Sequence, residues 1–418
     1  MITALKRTEP PGFAELAVIA AAAMALNALA IDMMLPALGL IGDDLSLANP
    51  NDRQLIVGLY LIGNGVGQLF FGPLVDRFGR RPILIGSLLA YLGGSVLSVV
   101  AGSFELLLAA RVFQGVSTAG SRVAIFAIIR DQYAGRRMAK LVSLAITLFM
   151  AAPIIAPALG QGVLLFAPWR GIFFALFLYG LVVFVWAFLR MPETLEPARR
   201  TRLNLGRVFA SYREFFTDKC AAGYTIASAF CFGALFGYIS AAEQIFFEVF
   251  SIGDQFALAF AAVAVSLGIA TLTNAQLVER YGMRRLTHAA LIMFVAINLS
   301  HLAVINLFGS TAINFIGFLS AAFFAIGLIG PNCSALAMER MGHIAGSAAA
   351  ANGFASTTVS GILGAVIGRQ FDGTTGPIVL GFAFFGVAAL LVVLWVENGR
   401  LFRTGEDAAG EPAEAGKG

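Results

Sequence analysis

Four ionisable residues stand inside long apolar stretches of the chain: Asp32, Arg111, Arg122 and Glu243. Charge is costly in an apolar surround, so residues of this kind mark ion paths, substrate contacts or paired charges. Asp32 lies in Ala30-Ile31-Asp32-Met33-Met34-Leu35-Pro36, where Pro36 has no N–H to return to the Asp32 carbonyl. A loosened helix beside a carboxyl group facing a wet cavity suits proton carriage, binding of a cationic substrate, or both. An interfacial acid is the plainer alternative, since Asp32 falls toward one end of its stretch. Arg111 and Arg122 are about 20° apart around a helix and about 16 Å apart along it. One helix face therefore carries two cations. Arg122 suits an anionic group of a substrate or a partner such as Glu243 or Asp32, and a structural ion pair serves equally well. Glu243, in Ser240-Ala241-Ala242-Glu243-Gln244, suits a second protonation site, a contact to cationic drugs, or an interfacial position. Tyr60, Asn64 and Gln68, with Asn274 and Asn332 farther on, are polar residues that suit a cavity wall.

Other chemistry is thinly represented. Cys220, Cys231 and Cys333 have neither CxxC nor disulfide spacing and read as small packing residues. His288, His301 and His343 form no ligand pattern, so no metal is expected. There is no Walker loop to hold ATP, no nucleophile–base pair and no cofactor fingerprint. No cofactor is expected.

The elements that position these residues follow from composition. Hydrophobic residues make up 59% of 418 positions and charged ones 12%, about half the charged share of a soluble domain. A single soluble core cannot hide that much apolar surface, whereas a bilayer accepts helices that are apolar all round. Runs of about 20 apolar residues predict spans at 14–40, 54–75, 82–104, 106–129, 140–165 and 170–190. A second set is predicted at 221–247, 255–278, 286–308, 311–338, 343–368 and 376–397. The first run is too long for a signal-peptide core and reads as a span. No Lys, Arg, Asp or Glu interrupts residues 286–338, and Phe308-Gly309-Ser310-Thr311 divides them. Every backbone polar group in lipid must be satisfied within its own segment, so the spans are helices.

Net charge is +4, and its distribution gives sidedness. With an even number of spans, the side holding both termini collects 23 of the 28 Lys and Arg residues, while the opposite loops hold Arg53, Arg170 and Arg369. That side is expected to be cytoplasmic. Residues 1–190 then form one six-helix bundle, 191–220 a cytoplasmic, partly amphipathic linker and 221–398 the second bundle. Residues 399–418 form a polar tail expected to be disordered. The basic run from Arg199 to Arg202 reads as solvated or facing lipid headgroups.

The halves echo one another. Leu74-Val75-Asp76-Arg77-Phe78-Gly79-Arg80-Arg81 recurs 203 residues later as Leu277-Val278-Glu279-Arg280-Tyr281-Gly282-Met283-Arg284. Both copies fall between the second and third span of a half, as in a parallel repeat that rocks about a central site. Gly72 is expected to let helices approach and Gly79 to make a tight turn. Asp76, Arg77, Arg80 and Arg81 can form ion pairs that latch the two bundles, or serve as topogenic charge alone.

Gly72-Pro73-Leu74-Val75-Asp76-Arg77-Phe78-Gly79-Arg80-Arg81-Pro82 resembles the loop signature of the major facilitator superfamily. Ala30 to Leu38 resembles the first helix of its twelve-span drug:proton antiporters of the Bcr/CflA, or bicyclomycin-resistance, type. Arg111-Val112-Phe113-Gln114-Gly115 resembles their span-4 motif, and Ala156-Pro157-Ala158-Leu159-Gly160 their span-5 antiporter motif, with alanines in place of some glycines. The resemblance covers the N-terminal half well, and hydropathy and the loop repeat carry the rest. It implies an all-α membrane protein with the major facilitator fold, twelve transmembrane helices in two six-helix bundles related by pseudo-twofold symmetry. It implies a secondary active transporter, not an enzyme, that exports lipophilic small molecules or drugs against protons by alternating access. In that setting Asp32 and Arg111 couple to the proton. Asp32, Tyr60, Asn64, Arg122 and Glu243 are candidate substrate contacts. The loop stabilises the outward-facing state, and Pro153, Pro157 and Gly160 shape span 5 for exchange. A permease for a single metabolite shares the fold and remains the alternative. Expected partners are small lipophilic substrates, protons and membrane lipids, with no nucleic acid. A monomer in a bacterial-type inner membrane is expected, with both termini cytoplasmic.

Overall fold

The computed structural model describes residues 11–200 and 204–402. Lys6, Arg7, Arg202 and residues 403–418 of the expected tail lie outside the described residues, whereas residues 399–402 are described and Phe402 N–H donates to His288 Nδ1 on span 9. Twelve helices among the described residues are long and apolar enough to cross a membrane. Spans 1 to 6 are Phe13–Asp44, Pro50–Phe78, Arg80–Val99, Phe104–Gln132, Gly135–Leu164 and Arg170–Arg190. Spans 7 to 12 are Lys219–Val249, Gly253–Tyr281, Met283–Phe308, Ala312–Met338, Gly342–Gly368 and Gly376–Val396. Each predicted span overlaps an observed one, and the ends differ by a turn or so because capping residues extend the helices past the apolar runs.

Local sequence sets the boundaries. Gly309 adopts a positive φ of 79°, and Thr311 opens span 10 with a capping box to Asn314. The two repeat loops turn alike: Gly79 has φ 103° and Gly282 φ 77°, a region where a side chain is strained. Span 1 is not one helix. Its α-helical part ends at Asp32, a 3₁₀ turn covers Leu35–Ala37, and α-helix resumes at Leu38. Pro36 causes this break by withholding one hydrogen bond. Span 5 is interrupted likewise at Met150, three residues before Pro153.

The spans pack as two six-helix bundles. Between them, span 2 runs against span 11, span 5 against span 8, and span 1 against span 7. Residues 191–218 connect the bundles on the face that also holds both repeat loops, here called the linker face; the opposite is the far face. In this segment Asn204 caps a helix, Leu205–Thr217, that buries Ser211 and Phe215.

Glycines gauge how closely spans 2 and 11 approach. A Cβ on Gly58 would stand 2.9 Å from the Ala365 Cβ, and one on Gly65 only 2.1 Å from the Thr358 Oγ1. One on Gly72 would meet nothing nearer than the Ala350 Cβ at 3.9 Å. The interface is thus a wedge, tight from its middle to the far face and slack at the linker face. Gly72, expected to mediate close approach, does not do so in this state, because it sits where the bundles have parted.

Candidate functional site

The slack end of the wedge opens into a cavity of about 1080 Å³ between the bundles. Its mouth, at the linker face, includes Asp76, Arg130, Arg207 and His343. Its inner wall is polar on both sides, with Asn27, Asn64, Gln68 and Thr118 facing Asn352, Ser356, Thr357 and Ser360. Phe126, Phe149, Phe232 and Phe236 supply apolar surface. A concave, mostly apolar space with a few fixed polar groups is what a small-molecule site needs.

Those polar groups are held by one network. The Tyr60 hydroxyl donates to Asn27 Oδ1 at 2.9 Å and lies 3.0 Å from Thr118 Oγ1. Asn64 Nδ2 donates to Thr118 Oγ1 at 3.0 Å, and Gln68 Nε2 to Asn64 Oδ1 at 3.1 Å. Gln68 also reaches across the bundle interface to Thr357 Oγ1 at 3.3 Å. Of the residues that the sequence suggested for cargo or for the cavity wall, Asn64, Gln68 and Arg122 line the cavity directly. Tyr60 is fully buried and joins the wall through its hydroxyl. Asn27 and Thr118 were missed, although Asn27 is the one amide in an apolar helix and Thr118 stands two turns from Arg111 on the same face.

Behind Tyr60 lies Arg111, with no exposed surface. Its guanidinium donates to the Ala30 carbonyl at 2.7 Å, the Ile56 carbonyl at 3.3 Å and Gln114 Oε1 at 2.8 Å. It also sits 4.4 Å from the Tyr60 ring centroid. Cation–π attraction of this kind is worth about 2 kcal/mol when desolvated. Arg111 forms no ion pair among the described residues; neutral carbonyls and the ring satisfy it. Ala30 stands about half a helical turn before Asp32, which is 4% exposed. Among the described residues Asp32 Oδ1 has no hydrogen-bond partner, and neither has the buried hydroxyl of Tyr238 on span 7. Asp32 does not line the cavity described above; it sits beyond the inner wall, toward the far face.

Span 5 braces this broken part of span 1. A Cβ on Gly160 would stand 1.9 Å from the Met33 carbonyl oxygen and 3.1 Å from the Pro36 ring. Pro157 is buried within the same helix, where it forgoes a backbone hydrogen bond.

Glu243 is elsewhere than a cargo contact would be. It pairs with Arg53 across the bundle interface at the far face, Nη1 to Oε2 3.3 Å, and Arg53 also binds Glu248. Around this pair Gln54 donates to Gln244 at 2.6 Å and Gln244 to Asn51 at 2.8 Å. Asn51 reaches the Phe371 carbonyl at 2.8 Å, and Arg369 binds Asp52 at 2.6 Å. These bonds all join one bundle to the other and seal the far face. Arg53, read from sequence as a loop charge, is buried at their centre. Arg122 accordingly pairs with neither Glu243 nor Asp32.

The repeat loop makes its bonds to the first bundle and to the start of the linker. Arg80, buried, binds Asp76 at 3.0 Å and Asp131 at 2.9 Å, and its N–H donates to Glu193 at 3.0 Å. Arg81 donates to the Phe188 and Met191 carbonyls at the end of span 6, while Arg77 lies over the Phe78 ring. No latch between the bundles is formed by these residues in this state. Asn332 donates to Asn274 at 2.6 Å inside the second bundle, away from the cavity. His288 contacts Tyr224 and the Phe402 N–H, and His301 stacks on Phe318. The three cysteines are buried and free.

Comparison with known proteins agrees with this architecture. The Major Facilitator Superfamily profile matches residues 20–368. A bicyclomycin resistance protein homolog of Haemophilus influenzae is 29% identical over 89% of this chain and 93% of its own length. A multidrug resistance protein MdtL of Salmonella heidelberg is 29% identical over 68% of this chain and 72% of its own. The crystal structure of the human organic anion transporter MFSD10 (TETRAN) superposes with a TM-score of 0.65 over 92% of this chain and 100% of its own; at 15% identity it bears on the fold alone. These relatives are transporters, not enzymes. By its profile match, its twelve spans in two bundles and its central cavity, the chain belongs to the Major Facilitator Superfamily of multi-pass membrane transporters.

Proposed function

We propose that the protein is a proton-coupled exporter of lipophilic small molecules that works by alternating access. The observation that carries this reading is the asymmetry of the bundle interface: a large cavity open at the linker face, beneath a far face sealed by cross-bundle bonds. With the linker face cytoplasmic, as the basic residues favour, this state receives cargo from inside. The names of the relatives from Haemophilus influenzae and Salmonella favour drug-like cargo.

Asp32 is the proposed proton carrier. It is buried, has an oxygen without a hydrogen bond, and stands at the break in span 1 between the cavity and the far-face seal. A carboxyl so placed can change charge without first breaking an ion pair. Arg111 holds the Ala30 carbonyl one half-turn away, so the charge on Asp32 acts on a segment that Arg111 and Gly160 already position. The wall residue Asn64 contacts cargo, Tyr60 positions that wall from behind through Asn27 and Thr118, and proton uptake at Asp32 from the far side resets the carrier. Coupling of this kind requires each ligand to bind the two states unequally. Glu243 is reassigned from cargo contact to the far-face seal.

The test is transport by purified protein in proteoliposomes under an imposed pH gradient. Uphill drug accumulation is expected for the native chain and its loss for Asp32→Asn, with facilitated downhill flux retained. Uphill transport by the Asp32→Asn protein would overturn the mechanism.

A further inference from the structure

The charged groups lining the cavity are of nearly one sign. Arg122, Arg130, Arg207 and His343 face it, against one acid, Asp76. Asp76 is already bound to Arg80, and His343 to Glu214 at 2.6 Å. Arg122 is different from the two arginines at the mouth. It lies one helical turn from Thr118, along the wall that carries Asn64 and Gln68, and its side chain is exposed to the cavity. Among the described residues it has no ion pair and no hydrogen bond. A cation held deep between two bundles without a counterion is a demanding arrangement, because the surround screens it poorly. A ligand bearing an anionic group would satisfy it. Phe126, one turn farther along the same helix, and Phe149, Phe232 and Phe236 would receive an aromatic or aliphatic body. Among the described residues no free carboxylate lines the cavity, so a cationic ligand finds no partner among them: Asp32 lies beyond the wall and Glu243 in the far-face seal.

We propose that the cargo is an amphiphilic organic anion, with the Arg122 guanidinium receiving its carboxylate or sulfonate in a bidentate pair and the phenylalanines covering its apolar part. Arg130 and Arg207 at the mouth supply a positive potential that draws such anions inward. The proposal deepens the exporter reading and rests on it for the identity of the cavity as the cargo site.

Binding measured without a pH gradient separates the two, since a failure of proton coupling leaves equilibrium binding intact. The probes are radiolabelled 1-naphthaleneacetate and its cationic counterpart 1-naphthylmethylamine, in equilibrium dialysis with the full-length protein in a neutral detergent. The native chain is expected to bind the acid at least about tenfold more tightly than the amine, the worth of one charge-assisted hydrogen-bonded contact. Arg122→Gln is expected to abolish that preference by weakening the acid, and Arg122→Lys to keep it within about threefold, since charge survives and only the fork is lost. Should Arg122→Gln fail to fold, the preference of the native chain for acid over amine decides alone. Equal binding of acid and amine by the native chain, or an Arg122→Gln protein that folds and keeps the preference, would overturn the proposal. So would displacement-sensitive binding of short-chain phosphatidylglycerol with none of naphthaleneacetate, which would assign Arg122 to lipid headgroups.

Discussion

Arg111 and Asp32 divide labour in a way that depends on what surrounds each. Arg111 spends its donors on two backbone carbonyls and an amide oxygen while its flat face lies on Tyr60. A lysine carries the same charge but neither the fork nor the flat face. Arg111→Lys should therefore fold, checked by size-exclusion profile, yet lose about tenfold or more of pH-driven transport as Tyr60 and span 1 lose their positioning. At Gly65 the prediction is steric. A methyl there collides with Thr358, so Gly65→Ala should disfavour the linker-open state by roughly 1–3 kcal/mol. Spin-label distances across the linker face should shift toward shorter values. Gly72→Ala, with room for its methyl in this state, should not shift those distances toward shorter values.

Among the elements, the broken spans and the linker helix matter most. Spans 1 and 5 meet where both are interrupted, Gly160 against the Met33 carbonyl beside Pro36. Two irregular stretches can shift against each other at less cost than two continuous helices, because fewer backbone hydrogen bonds must be remade. The linker helix spans the cavity mouth. Tyr212 donates to the Leu69 carbonyl on span 2 at 2.7 Å, while Glu214 meets His343 at the start of span 11. Burial pushes the Tyr212 hydroxyl up to about 12, so it stays a donor throughout the physiological range. Tyr212→Phe removes this tether at a cost of about 1 kcal/mol. It should increase hydrogen exchange in residues 205–217 without shifting its pH dependence, measured by mass spectrometry.

For the whole molecule the testable claim is that the far-face seal must open once per cycle. Asp52 and Arg369 are bonded across it. With the three native cysteines replaced, Asp52→Cys with Arg369→Cys should cross-link through a short bifunctional reagent and stop transport. A cleavable reagent should restore it on reduction. Unimpaired transport by the fully cross-linked protein would exclude rocking of the bundles about the cavity.

Much of this was legible in the sequence for one physical reason: lipid demands apolar runs of fixed length with every backbone group satisfied internally. That requirement set the twelve helices. The two loops fixed the repeat, down to the glycines with positive φ, and Pro36 located the break beside Asp32. Spacing along one helix also put Arg111 and Arg122 on a common face. What spacing does not convey is which faces of different helices meet, or how far apart the bundles stand. Only the tertiary structure placed Arg53 against Glu243, moved that acid from the cavity to the seal, and kept Asp32 behind the wall. It also left Arg122 in the cavity with no ion pair among the described residues, because Glu243 is bound to Arg53 in the seal and Asp32 lies behind the wall.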